Sequence, residues 1–193
     1  MSGRPGTRGP AEAGRDAILF ARVKARDLQA FEELYRDYHP RLNRFLFNTV
    51  RRPQIVEEVL NDTMMVVWNR PDSFSGASKL STWIFAIAYR IAMKALHRQD
   101  EAVETPPDDN RMGVGAGTDE LTGQMRIQAA LKRAIDALPP DQRAVVDLTY
   151  FHELGYREIA EILQCPVGTV KTRMFHARRQ LKRQLAGELA DWL

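Results

Sequence analysis

"GYREIAEILQCPVGTVKTRMFHARRQL" spans residues 155–181. Its first half places Tyr156, Ile159, Ala160 and Leu163 on one face of a short helix, and the pattern halts at Gln164-Cys165-Pro166. Pro166 lacks a backbone donor and would clash inside a continuing helix, yet it suits the first turn of a new one. From Val167 onward Val170, Met174, Ala177, Leu181 and Leu185 recur at helical spacing, so the second helix has a packed side. Its other faces carry Lys171, Arg173, Arg178, Arg179, Lys182 and Arg183, with no acid between Val167 and Leu185. Two short helices around a tight turn, the second basic on its outer face, describe a helix-turn-helix whose second helix enters the major groove of DNA. Thr169, Lys171 and Thr172 stand near the N-terminus of that helix, where side chains reach base edges, and Phe175 and His176 follow one turn later. Arg143, Arg157, Arg178 and Arg179, with backbone N–H groups around Gly168, suit phosphates. A lone cysteine in such a turn reads as a small buried filler.

Two more helices precede this unit. "MRIQAALKRAIDAL" sets Ile127, Ala130, Leu131, Ala134, Ile135 and Leu138 in a stripe that Pro139-Pro140 terminates. Asp141 then falls in the first turn of the next helix, where an acid suits the helix dipole, and Val145, Leu148 and either Phe151 or Tyr150 mark its buried side.

Charge divides the chain. Of the 193 residues, 44% are apolar and 27% charged, for a net charge of only +3. Residues 1–99 carry +6, residues 100–123 carry −6 and residues 124–193 carry +3. The acidic block "DEAVETPPDDNRMGVGAGTDELTG" holds adjacent prolines and four glycines, a composition that forms no packed element. It reads as a flexible linker over 100–123, between helical modules at 15–99 and 124–193, with a disordered tail over 1–14. The fold class is all-α, since no period-2 β-branched run stands between turn signals. The single cysteine excludes an internal disulfide, and four scattered histidines leave no metal-ligand spacing, so neither metal nor cofactor is expected. The absence of long apolar runs and of a hydrophobic start points to a cytoplasmic protein with no membrane insertion.

At this point the residues carry a family. "LPPDQRAVVDLTYFHELGYREIAEILQCPVGTVKTRMFHARRQLKRQL" closely resembles region 4 of the extracytoplasmic-function (group IV) sigma factors of the sigma-70 family, and "GTVKTR" is its most specific part. The commoner family pattern at Gln164-Cys165-Pro166 is glycine, aliphatic, serine. The resemblance implies a bacterial RNA polymerase subunit whose region 4 binds the minus-35 promoter element and touches the polymerase β-flap. It adds Tyr156 and Arg173 to the minus-35 set.

"LQAFEELYRDYHPRLNRFLF" is similar to the opening helix pair of region 2, with Phe31, Leu34, Tyr35 and Tyr38 as one stripe and Leu42, Phe45 and Leu46 as the next. "VEEVLNDTMMVVWNRPDSF" is similar to the segment that grips the β′ clamp helices. Here Val56, Val59, Leu60, Thr63, Met64 and Val67 make a buried stripe, which leaves Asn61, Asp62, Met65 and Trp68 as a docking surface of the mixed polar and aromatic kind that suits a protein partner. "KLSTWIFAIAYRIAMKALHR" looks like the helix that handles the minus-10 element. Melting needs aromatic platforms and cations to hold unstacked bases. The loop Phe74, Ser75, Gly76, Ala77, Ser78 and Lys79 supplies a small pocket for one flipped base, with Trp83, Tyr89, Arg90 and Lys94 beside it. Trp83 divides between core and platform, while Ile84 and Phe85 read as core.

The resemblance further implies an anti-sigma factor as partner and a stress or envelope-response regulon. Sequence alone keeps open a stand-alone helix-turn-helix regulator, which binds DNA specifically without polymerase. No Ser/His/Asp set, phosphate-cradling Gly loop or metal cluster supports an enzyme.

Overall fold

Pro10 and the helix formers behind it start the first helix, since proline at the first helical position gives up a donor that would have no partner anyway. The computed structural model describes residues 10–102 and 123–190. Within them α1 spans Pro10–Lys24, α2 Leu28–Val50, α3 Pro53–Asn69, α4 Leu80–Ala102, α5 Gly123–Asp136, α6 Pro140–Tyr150, α7 Tyr156–Ile162 and α8 Val167–Ala190, with a single 3-10 turn at Pro71–Ser73. No strand occurs among the described residues. Helix α1 thus occupies residues 10–14 of the stretch read as a tail, and α4 runs three residues past the expected boundary at 99. Residues 103–122 of the acidic block, and residues 1–9, lie outside the described residues.

In the first module α1 to α4 surround one apolar interior. Leu34, Tyr38, Leu42, Phe45, Val59, Val67, Ile84 and Ala88 are fully buried there. Asp27 caps α2 by accepting from the Ala30 N–H at 3.2 Å, and the cap is reinforced by Arg22, whose Nε lies 2.9 Å from the same carboxylate. The expected helix pair over residues 28–47 is instead one 23-residue helix with Pro40 inside it. Arg36 and Pro40 are both exposed, so the carbonyl of Arg36 that Pro40 cannot bond lies on the solvent side, where water replaces the missing donor.

The second module is α5 to α8. Ala130, Ala134 and Leu138 bury one side of α5, whereas Ile127 and Leu131 stay 52% and 42% exposed. In α6, Val145 and Leu148 are buried as the spacing predicts, but neither Tyr150 nor Phe151 is; His152 takes the buried position after them. The α6–α7 connection turns the chain before any further apolar residue of α6 reaches the interior.

The halt after α7 is a Schellman motif. Cys165 N–H donates to the Ala160 carbonyl at 3.0 Å, and Gln164 N–H to Glu161 at 3.4 Å. Gln164 itself adopts φ 49°, the left-handed conformation that glycine reaches without strain. Cys165 is half-buried and packs on the core, which gives it the apolar contact that accompanies this motif. Pro166 then opens α8, its carbonyl accepting from Thr169 N–H at 2.8 Å.

Candidate nucleic-acid interface

Val170, Met174 and Ala177 anchor α8 in the second module's core. That rotation sets Lys171, Thr172, Phe175, His176, Arg178 and Arg179 on the outside, with Phe175 61% exposed. Phe175 and His176 meet edge to face at 5.5 Å, so the two aromatic candidates form one raised feature. The Thr172 hydroxyl donates back to the Gly168 carbonyl at 3.0 Å and Thr169 is half-buried. No atom lies within 4 Å of where a Cβ on Gly168 would stand, so the backbone at the start of α8 is open to approach.

The basic candidates separate by what already holds them. Lys171, Arg157 and Arg179 are exposed. Arg178 donates to the Tyr150 hydroxyl at 3.0 Å. Arg173 pairs with Asp141 at 2.9 Å and reaches Cys165 Sγ at 3.7 Å. Tyr156 is half-buried against the core.

Arg143 departs furthest from its expected role. Its guanidinium donates to the carbonyls of Asp136 and Leu138 at 2.9 and 2.8 Å and to that of Thr49 at 2.8 Å. It closes the C-terminal end of α5, whose carbonyls Pro139-Pro140 leave without helical donors, and it cannot at the same time reach a phosphate. Burial, and next the Arg51 charge, push Arg143 below the usual guanidinium value, and Asp136 opposes them. The spacing marked a cation after a helix start but gave no sign of the carbonyls around it.

In the first module Phe74 and Trp83 meet at 5.3 Å, and Phe20 of α1 packs edge-on to both at 5.4 and 5.6 Å. Phe20 was not among the sequence candidates. A recess of about 330 Å³ opens beside it, lined by Phe20, Phe74, Gly76, Ser78 and Lys79 together with Asp16. Gly76 holds φ 78° to turn this loop. Ser75 and Ala77 are exposed outside the recess, and Arg90 and Lys94 are exposed further along α4. Tyr89 is not available: it is 8% exposed, and burial raises its hydroxyl pKa above the ordinary value, with the Arg173 charge opposing.

On α3, Asn61, Asp62 and Met65 face solvent, Met65 at 52% exposure. Trp68 turns inward instead. Its ring packs on Phe31 at 4.9 Å under the Arg26 guanidinium, which also donates to its carbonyl at 2.6 Å.

Two family descriptions match the chain, "Sigma-70 region 2" over residues 34–102 and "Sigma-70, region 4" over residues 128–181. The chain is 32% identical to the ECF RNA polymerase sigma factor RpoE of Cereibacter sphaeroides over 173 residues, covering 88% of this chain and 94% of that protein. It is 29% identical to the ECF RNA polymerase sigma-E factor of Haemophilus influenzae over 91% of its own length and 97% of the other's. Among solved structures it resembles the sigma factor RpoE in complex with the anti-sigma factor NepR from Bartonella quintana, at 25% identity and TM-score 0.61 over 80% of this chain and 96% of that one. It shares the fold of CnrH, solved with the cytosolic domain of CnrY, at 20% identity and TM-score 0.61 over 88% and 96% of the two chains. Regions 2 and 4, with a relative alike over nearly the full length, make the chain a member of the extracytoplasmic-function sigma factors of the sigma-70 family, which direct RNA polymerase to promoters.

Proposed function

We propose that the outer face of α8 reads the minus-35 element through Lys171, Phe175 and His176, with Thr169 and Thr172 at its start, while Arg157, Arg178 and Arg179 hold phosphates. The observation that carries this is the solvent-facing side of α8, free of acids from Val167 to Leu185, with an exposed aromatic pair on it. The recess framed by Phe20, Phe74 and Lys79 takes one flipped minus-10 base, stacked where aromatic faces and a cation meet. Asn61, Asp62 and Met65 dock on the β′ clamp helices, and region 4 meets the β-flap. The chain acts in the cytoplasm as a dissociable subunit with no catalytic centre of its own, and an anti-sigma factor, the class of partner bound to the solved RpoE of Bartonella quintana, holds it inactive.

Run-off transcription with core polymerase on a library of genomic promoters tests this reading. Transcripts that need both core and this chain are expected. Specific, tight promoter binding by the chain alone, without transcription in the presence of core, would instead indicate a stand-alone regulator.

A further inference from the structure

Helix α1 carries an acid inside its apolar stripe. Asp16 stands one turn before Phe20 on the side that also buries Leu19 and Val23, and it is only 5% exposed. A carboxylate in such a place is costly unless its oxygens are bonded. The hydroxyl of Tyr38, a fully buried residue of α2, donates to Asp16 Oδ2 at 2.7 Å. The Arg41 guanidinium in turn backs the Tyr38 ring, 5.3 Å from its centroid. An apolar side chain would fill the stripe without such partners, so packing does not account for the acid.

The recess beside Phe20 does account for it. Asp16 lines this space of about 330 Å³ together with the Phe20 and Phe74 rings and with Ser78 and Ser81. A carboxylate has acceptors only, about four positions on its two oxygens, so the bond from Tyr38 does not exhaust it. The two serine hydroxyls turn to donate or accept as a ligand requires. Cytosine, adenine and guanine each carry an exocyclic amine, the group from which a carboxylate accepts when it reads a base. Thymine has no amine, and its one pairing N–H lies between two carbonyls that a carboxylate repels. We infer that Asp16 sets the base preference of the recess: its carboxylate accepts from the exocyclic amine of the flipped base and disfavours thymine, while Tyr38 holds the carboxylate in place. The inference rests on the assignment of this recess to a flipped minus-10 base.

The test uses holoenzyme assembled from the full chain and core polymerase, with single-stranded minus-10 oligonucleotides from a promoter that it transcribes. An abasic site is placed at each position in turn and competed against the intact strand, with wild-type and Phe74→Ala chains. The held base is the position whose loss weakens binding only when Phe74 is present. There an amine-bearing base is expected to compete about fivefold or more better than thymine. Its counterpart without the amine is expected to lose the same factor: pyrimidin-2-one for cytosine, purine for adenine, hypoxanthine for guanine. Asp16→Asn presents an amide donor where the carboxylate accepted, so preference at that position alone is expected to move toward thymine. If Asp16→Asn does not fold, the amine-free bases on the wild-type chain decide. A preference for thymine, or no loss on removing the amine, overturns the role of Asp16 and leaves the base-holding recess standing. A strand in which no position couples to Phe74 overturns the recess itself, and the inference with it.

Discussion

Arg143 Nη2 lies 2.8 Å from the carbonyl oxygen of Thr49, a bond between residues 94 positions apart that ties α6 to α2. The same guanidinium closes the end of α5 through two further carbonyls. Arg143→Ala strands three carbonyl acceptors, those of Leu138 and Thr49 buried and that of Asp136 partly so, and is expected to cost about 2–3 kcal/mol in chemical denaturation. Arg143→Lys recovers little, because an ammonium cannot serve three carbonyls in the geometry of the planar fork. A variant as stable as wild type but selectively weak on DNA would return Arg143 to the phosphate-contact set.

Gln164 carries its left-handed backbone without glycine's freedom. Gln164→Gly removes that steric cost and loosens the unfolded chain, and the net gain is about 0.5–1 kcal/mol. Urea denaturation measures it directly, and no change or a loss of stability contradicts the strain.

Asp27 is held below the ordinary carboxylate pKa, first by the Ala30 N–H and then by Arg22. A depressed folded-state pKa contributes stability above the unfolded value near 3.9, and that contribution disappears as pH falls through the folded value. Asp27→Asn still caps α2 but does not titrate. Its melting temperature is therefore expected to fall less steeply than that of wild type below about pH 4, in thermal melts followed by circular dichroism; parallel acid limbs contradict this role.

Lys171 and Arg179 both lie exposed on α8 but are assigned different work. Lys171→Ala or His176→Ala changes which minus-35 bases are preferred, by roughly 1–3 kcal/mol at the affected position. Arg179→Ala weakens all sequences alike and lowers the salt slope by about one unit. Identical behaviour in a selection on randomised minus-35 duplexes contradicts the division.

These cases show what kind of feature a sequence exposes. Pro166 and the apolar spacing on either side located the turn and the two helices, because a missing donor and a 3.6-residue period act over a few residues. The motif that ends α7 was hidden, since Gln164 occupies a position where glycine is the usual signal. The helix pair that the resemblance implied over residues 28–47 is one helix, because the carbonyl that Pro40 leaves unbonded lies on the solvent side. The outer face of α8 was legible for the same local reason as its buried side. Arg143, Tyr89 and Trp68 were misplaced because their surroundings come from distant segments: Thr49, the α7–α8 side of region 4, and Phe31. Phe20 was missed because it belongs to α1, far in sequence from the Phe74 and Trp83 rings that it joins.

Strand opening at the minus-10 element is the most direct measure of the central claim. Permanganate reactivity of unpaired thymines on a responsive promoter is expected only when this chain and core polymerase are both present, and to fall when Lys79 and Trp83 are replaced together. Opening by core polymerase alone, or equal opening by the doubly substituted chain, contradicts it.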